Sequence, residues 1–252
     1  MFMEIKKVEL KENERIDDLQ INNLKIIQNK NGFCFGIDSV LLSDFAKEIK
    51  DNSKIIDLGT GTGIISILLS AKTKPKEIIG IELQEEVAEM AQRSIKLNNL
   101  EKLIKIQNEN IKILDKKLEN GKYDVIVTNP PYMKANSGLK NDNKLKLISR
   151  HEVECNLEDI ARVSNRLLKE NGEVYMVHRP DRLVDIMEIF RRYNLEIKKM
   201  RLVHSNEESG ANLILIKAIK NGKAFLKIEK PLYIYKKDGK YTDEILEIYK
   251  KK

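Results

Sequence analysis

The sequence predicts an α/β fold: a mostly parallel sheet with helices on both faces, behind a short N-terminal cap. Two observations predict it. From Lys54 onward, short apolar runs alternate with segments whose apolar residues recur at helical spacing, the rhythm of strands joined by crossover helices. The first run ends in Asp57-Leu-Gly59-Thr-Gly61-Thr-Gly63, a glycine turn at a strand-to-helix junction, where such folds bind ligands.

Each element follows from its own pattern. In the cap, Leu24-Lys-Ile-Ile-Gln and Gly32-Phe-Cys-Phe are expected to pair as a hairpin around Asn29-Lys-Asn-Gly32. Asp38 is placed to cap a helix through Val40, Leu41, Leu42 and Phe45. Lys54–Asp57 is a strand and Ile64–Ala71 an apolar helix. Glu77–Glu82 is a strand, followed by a helix over Gln84–Asn98 that carries Val87, Met90, Ala91 and Ile95 on one face. Strands are expected at Leu103–Gln107 and Tyr123–Thr128, a helix at Leu157–Leu168, a strand at Gly172–His178 and a helix at Asp181–Tyr193. Strands near Leu195–His204 and Leu213–Ala218 run consecutively, which points to an antiparallel hairpin at one edge of a seven-stranded sheet. The tail carries an extended Pro231-Leu-Tyr-Ile-Tyr segment and a short helix. The organisation expected is a cap over residues 1–50, a core domain over 51–220 and an extension packed on it over 221–252.

With 41% apolar and 34% charged residues the composition is that of a globular chain. No run approaches the roughly 18 apolar residues of a membrane span, and the N-terminus lacks a secretory apolar segment. A cytoplasmic location is expected. Cys34 and Cys155 are far apart, and His151, His178 and His204 form no ligand array, so reduced thiols and no metal site are expected. The net charge of +7 favours a polyanionic partner.

The glycine turn is GxGxG and lacks the GxGxxG spacing that places a pyrophosphate on a helix N-terminus. S-adenosylmethionine has no phosphate and suits such a turn: its methionine part needs close backbone approach at Gly59, Gly61 and Gly63 and an acidic group, Asp57, for its ammonium. Glu82 ends the second core strand, 19 residues after Gly63, where an acidic side chain accepts from ribose hydroxyls. Asn110, after the third, is a candidate for the adenine amino group.

The fourth core strand ends in Asn129-Pro130-Pro131-Tyr132 and should emerge at the same sheet edge. Two prolines stiffen this turn and remove two N–H donors, leaving carbonyls to accept. An exocyclic amino or amide nitrogen is a poor nucleophile because its lone pair is delocalised. Acceptors at the Asn129 side-chain oxygen and the Pro130 carbonyl would return density to it, a positioning and electrostatic mechanism. Tyr132 would offer a ring face to a flat substrate group, a stacking contact of about 1–3 kcal/mol.

With these two motifs, with Gly32-Phe-Cys-Phe-Gly-Ile-Asp38-Ser-Val-Leu-Leu ahead of them, and with Arg150-His151-Glu152, Met176-Val-His-Arg-Pro-Asp-Arg182 and Pro231-Leu-Tyr-Ile-Tyr behind, the chain resembles the bacterial tRNA1(Val) adenine-37 N6-methyltransferase family. The resemblance implies a Rossmann-like class I methyltransferase fold, S-adenosylmethionine as donor and an adenine N6 beside a tRNA anticodon as acceptor. It matches Asn129, Pro130 and Tyr132 to the catalytic tetrapeptide and Asp57, Gly59, Gly61 and Glu82 to cofactor-binding positions. Related enzymes often carry Asp where this chain has Asn110. Phe35 and Asp38 should flank the cofactor pocket, and Arg150, Arg179 and Arg182 are candidate phosphate contacts, beside a lysine-bearing loop over 134–146.

Three other readings compete. A glutamine N5-methyltransferase of release factors would use the same tetrapeptide, but that class has a sizeable helical domain ahead of the glycine turn, where only 56 residues stand here. A DNA or ribosomal-RNA adenine methyltransferase shares the chemistry. A non-catalytic RNA-binding protein would have lost Asn129 or the glycines, and both are present.

Overall fold

The computed structural model describes residues 8–31, 35–132 and 156–249. Arg150, His151, the loop over 134–146, Cys34 and Cys155 lie outside the described residues.

The second strand of the expected hairpin, Gly32–Phe35, falls mostly on residues 32–34, which lie outside the described residues, and the described pairing is with an upstream strand that was not expected. β2 (Lys25–Asn29) pairs antiparallel with β1 (Glu14–Asp18) upstream of it, with Ile16 opposite Ile27. β1 reads poorly as a strand because Glu14-Arg-Ile-Asp-Asp carries a single apolar residue. Phe35 lies outside any strand, and its N–H donates to Gln28 Oε1 at 2.8 Å. α1 (Ile37–Phe45) starts one residue before Asp38, and its N-cap is Gly36. Asp38 is therefore not the N-cap.

The core runs β3 (Lys54–Leu58), α2 (Ile64–Lys72), β4 (Glu77–Glu82), α3 (Glu85–Leu97), β5 (Ile104–Asn108), α4 (Leu114–Lys117), β6 (Tyr123–Thr128), α5 (Leu157–Leu167), β7 (Leu168–His178), α6 (Leu183–Arg192), β8 (Leu195–His204) and β9 (Ala211–Lys220). Expected boundaries hold to within a few residues. β7 starts earlier than expected because its first residues pair irregularly: Leu168 faces Tyr123, and regular pairing resumes at Glu173 opposite Val125. α4 was not expected; of its four residues only Leu114 is buried.

Along the sheet the order is β8-β9-β7-β6-β3-β4-β5, with further short strands outside β8. The sheet has nine strands rather than seven, because β10 (Lys227–Ile228) and β11 (Leu232–Tyr233) pair in parallel with successive stretches of β8. Two-residue strands held by backbone bonds leave no periodicity to read. β3 to β7 run parallel, β9 alone is reversed, and β8–β9 is the antiparallel pair expected.

Alternate residues of each strand feed two apolar layers. Ile55 packs with Leu41, Leu42, Leu68 and Ile95 of α1, α2 and α3, whereas Ile56 and Leu58 pack with Ile160, Val163, Ile186 and Phe190 of α5 and α6. Helices thus cover both faces. Leu232, Ile234, Ile245 and Ile248 join the first layer, the last two from α7 (Asp243–Ile248). The β1–β2 hairpin docks on α3, where Ser94 Oγ accepts the Ile27 N–H at 3.0 Å and Asn98 bonds both backbone groups of Lys25. The chain leaves β3 for β4 and β5 on one side and returns to β6 on the other, which opens a crevice at the carboxyl ends of β3 and β6.

Candidate active site

The carboxyl ends of β3, β4, β6 and β7 share one sheet edge because these strands are parallel. β3 delivers the glycine turn there. Gly59, Gly61 and Gly63 have φ of 72°, 55° and 88°, a left-handed conformation that disfavours any side chain. A Cβ at Gly59 or Gly61 would meet no atom within 4 Å, so this turn presents bare backbone to whatever lies above it. Gly80, opposite Asp57 on β4, makes room beneath: a Cβ there would stand 3.0 Å from Thr60.

Asp57 is fully buried and organises the turn from below. Its Oδ2 accepts the Thr60 hydroxyl (2.6 Å), the Ser66 hydroxyl (2.8 Å) and the Ser66 N–H (3.2 Å). Burial nevertheless lifts its carboxyl to about 6. Oδ1 has no hydrogen-bond partner among the described residues. Glu82, also buried, accepts the Gly61 N–H on Oε2 (3.0 Å) and the Gln84 N–H on Oε1 (2.9 Å). Each oxygen keeps a second lone pair. Asn110 stands just past β5, where its Oδ1 accepts the Lys112 N–H at 2.9 Å and caps a short 3-10 turn.

From β6, Asn129 and Tyr132 enter the crevice beside the glycine turn. Thr128 Oγ1 donates to the Leu58 carbonyl at 3.0 Å and locks the two strand ends together. Pro130 is buried. Asn129 Nδ2 donates to Asp38 Oδ2 (3.1 Å) and Ser39 Oγ (3.3 Å). The Tyr132 hydroxyl lies 2.7 Å from both Asp38 Oδ2 and Asn129 Oδ1. Sequence reasoning expected a free ring face, and the structure adds an anchored hydroxyl. Burial, reinforced by Asp38, pushes the Tyr132 phenol well above its ordinary range, so it remains a donor.

β7 ends the row with His178, 1% exposed, its ring centroid 5.3 Å from that of Tyr132. Its Nδ1 accepts the Arg179 N–H at 2.8 Å. Burial first, then the nearby Arg182, pushes the imidazole down to about 4, so it is neutral near pH 7. Of the two described candidate phosphate-binding arginines, Arg182 is largely buried and donates to Asp185 at 2.8 Å, whereas Arg179 is 55% exposed, with Asp181 at 3.7 Å. Arg179 is thus the more exposed of the two. Sequence reasoning missed Thr60, Ser66, Ser39 and His178 as site residues. Thr60 sits inside the glycine motif, and its hydroxyl was the one available signal. Among the described residues no group of three or more His, Cys, Asp or Glu is placed to hold a metal, and no helix is long and apolar enough to cross a membrane.

Residues 23–202 match the model of the methyltransferase small domain. The chain is 30% identical over 177 residues to a Porphyromonas gingivalis tRNA1(Val) (adenine(37)-N6)-methyltransferase, covering 68% of each chain. It superposes on a crystal structure described as a predicted O-methyltransferase from Agrobacterium tumefaciens with a TM-score of 0.67 and 21% identity, over 85% of this chain and 96% of that one. It also superposes on a geranyl diphosphate C-methyltransferase from Streptomyces coelicolor, solved with S-adenosyl-L-homocysteine, with a TM-score of 0.53 and 12% identity over 72% and 79% of the two chains.

Proposed function

We propose, because this chain belongs to the methyltransferase small-domain family, that it moves a methyl group from S-adenosylmethionine to the N6 of adenine 37 in a tRNA. The observation that carries the reading is the meeting of the Asn129–Tyr132 turn with the glycine turn across one locked strand pair. The similar Porphyromonas enzyme is named for that reaction.

The residues fit such a donor. Bare backbone at Gly59 and Gly61 and the unpartnered Asp57 Oδ1 would hold its methionine end. The spare lone pairs of Glu82 suit ribose hydroxyls, and Asn110 lies on the same edge for the base. When bound, S-adenosylmethionine supplies an electrophilic methyl group on a sulfonium.

Everything else falls to the chain. Asn129 Oδ1 and the Pro130 carbonyl would each accept one N–H of the exocyclic amino group, fixing the nitrogen and returning lone-pair density to it. These dipoles are held before the substrate arrives, so no reorganisation accompanies transfer. Tyr132, pinned at its hydroxyl, and neutral His178 form an uncharged wall beside the base. An adenine in a stack must first be turned out to reach this crevice, and the net charge of +7 with exposed Arg179 favours the phosphates flanking it.

The test is methylation of total RNA from cells lacking the enzyme, followed by mapping of the modified nucleoside. N6-methyladenosine at position 37 of a tRNA is expected; methyl transfer to a release-factor glutamine with none to RNA would overturn the reading. Asn129→Ala should lower kcat by on the order of a hundredfold while leaving S-adenosylmethionine affinity nearly unchanged. Equal loss of both would make Asn129 a structural residue.

A further inference from the structure

We infer that Asp38, from the N-terminal cap, is a positioning residue that fixes which way the Asn129 side-chain amide faces, an inference that rests on the adenine-methylating reading above. An asparagine amide can turn over, exchanging its oxygen for its NH2 with almost no change in shape. Only one of the two orientations is productive, because an amino substrate needs an acceptor. Something must select it.

Asp38 has the means. Its Oδ1 accepts the Ser39 N–H at 2.9 Å and its Oδ2 faces Asn129 Nδ2 and the Tyr132 hydroxyl, so all three contacts fall on acceptor oxygens. A carboxylate has no hydrogen to give, so the only amide orientation it tolerates turns the NH2 toward Asp38 and the oxygen toward the crevice. Ser39 Oγ takes the second amide hydrogen. The single Tyr132 hydrogen has two acceptors at 2.7 Å, and a carboxylate draws it in preference to an amide oxygen. Asn129 Oδ1 is then left to accept from substrate.

A purely local role at the start of α1 accounts for Oδ1 alone. Oδ2 reaches residues 91 and 94 positions along the chain. The space the carboxylate occupies also depends on Gly36, where a Cβ would stand 2.7 Å from Oδ1.

Asp38→Asn separates charge and hydrogen-bond sense from size. If the new amide sets its oxygen toward Asn129, its NH2 opposes the Ser39 N–H. If it sets its NH2 toward Asn129, that residue turns its own oxygen away from substrate. The variant should lower kcat about tenfold or more, within the span measured for residues sharing one hydrogen-bond network, with KM for tRNA and Kd for S-adenosylmethionine little changed. Asp38→Asn combined with Asn129→Ala should be no slower than Asn129→Ala alone, a non-additivity that a merely structural Asp38 would not produce. Gly36→Ala, which displaces the Asp38 carboxylate without removing any polar group, should show the same dependence on Asn129 and serves if Asp38→Asn folds poorly. Wild-type kcat in Asp38→Asn, or losses that multiply in the double variant, would overturn the inference. A wild-type enzyme that methylates no adenine would instead overturn the reading beneath it.

Discussion

Asp57 combines full burial with an acidic side chain, and its titration has a definite sign. Its folded carboxyl releases a proton near 6, against an ordinary 3.8. Between those values the folded state binds more protons than the unfolded one, so the associated stability is fully present below about pH 4 and is lost as pH rises through 6. The shift spans about two pH units, on the order of 3 kcal/mol. Asp57→Asn removes the titration and should flatten the decline in thermal midpoint between pH 4 and 6; a variant that follows the wild type across that window would show that Asp57 does not cause it. His178 moves in the other direction, and its neutral ring lets Tyr132 pack beside it without a charge. Residue identity announced Asp57, Asn129 and Tyr132 because glycines and prolines mark their turns. Ser39 and His178 were invisible, since no local pattern reports that Ser39 meets Asn129 ninety residues on or that His178 packs on Tyr132.

At the scale of elements, a buried ion pair ties the β1–β2 hairpin to α3. Arg93 of α3 grips Glu14 of β1 through two contacts of 2.6 Å, and the Glu14 side chain is only 3% exposed. The Arg93 guanidinium holds the Glu14 carboxyl below its usual range. That contribution is therefore present above the ordinary glutamate pKa and lost as pH falls through the lowered one. Arg93→Ala strands a buried carboxylate and should destabilise the fold by about 3 kcal/mol, as read by chemical denaturation at pH 7; a change near zero would mean that solvent reaches Glu14 freely. The same pairing explains which elements were legible. β3 to β6 and α2 and α3 declare themselves through apolar spacing, because each buries a face on its own. β1 is a strand by virtue of its partner and of Arg93, neither of which is recorded in Glu14–Asp18. The sequence pattern therefore gave no sign of β1 as a partner of β2.

For the whole molecule, parallel β3, β4, β6 and β7 bring four turns to one rim, and the sequence already showed this through the order of its strands and the two motifs at their ends. What it did not show is how the far edge of the sheet is finished. β10 and β11 lie in series along β8, and Leu232, Ile234, Ile245 and Ile248 reach from there into the layer under α1 and α2. The last stretch of chain thus satisfies a row of backbone donors and acceptors that would otherwise template another strand. Removing residues 227–252 should lower the thermal midpoint and produce concentration-dependent association in sedimentation; a truncated chain that stays monomeric with an unchanged midpoint would contradict this. The tail that seemed an appendix to the methylating core is in this sense its selvedge, the finished border that keeps one sheet from being woven into the next.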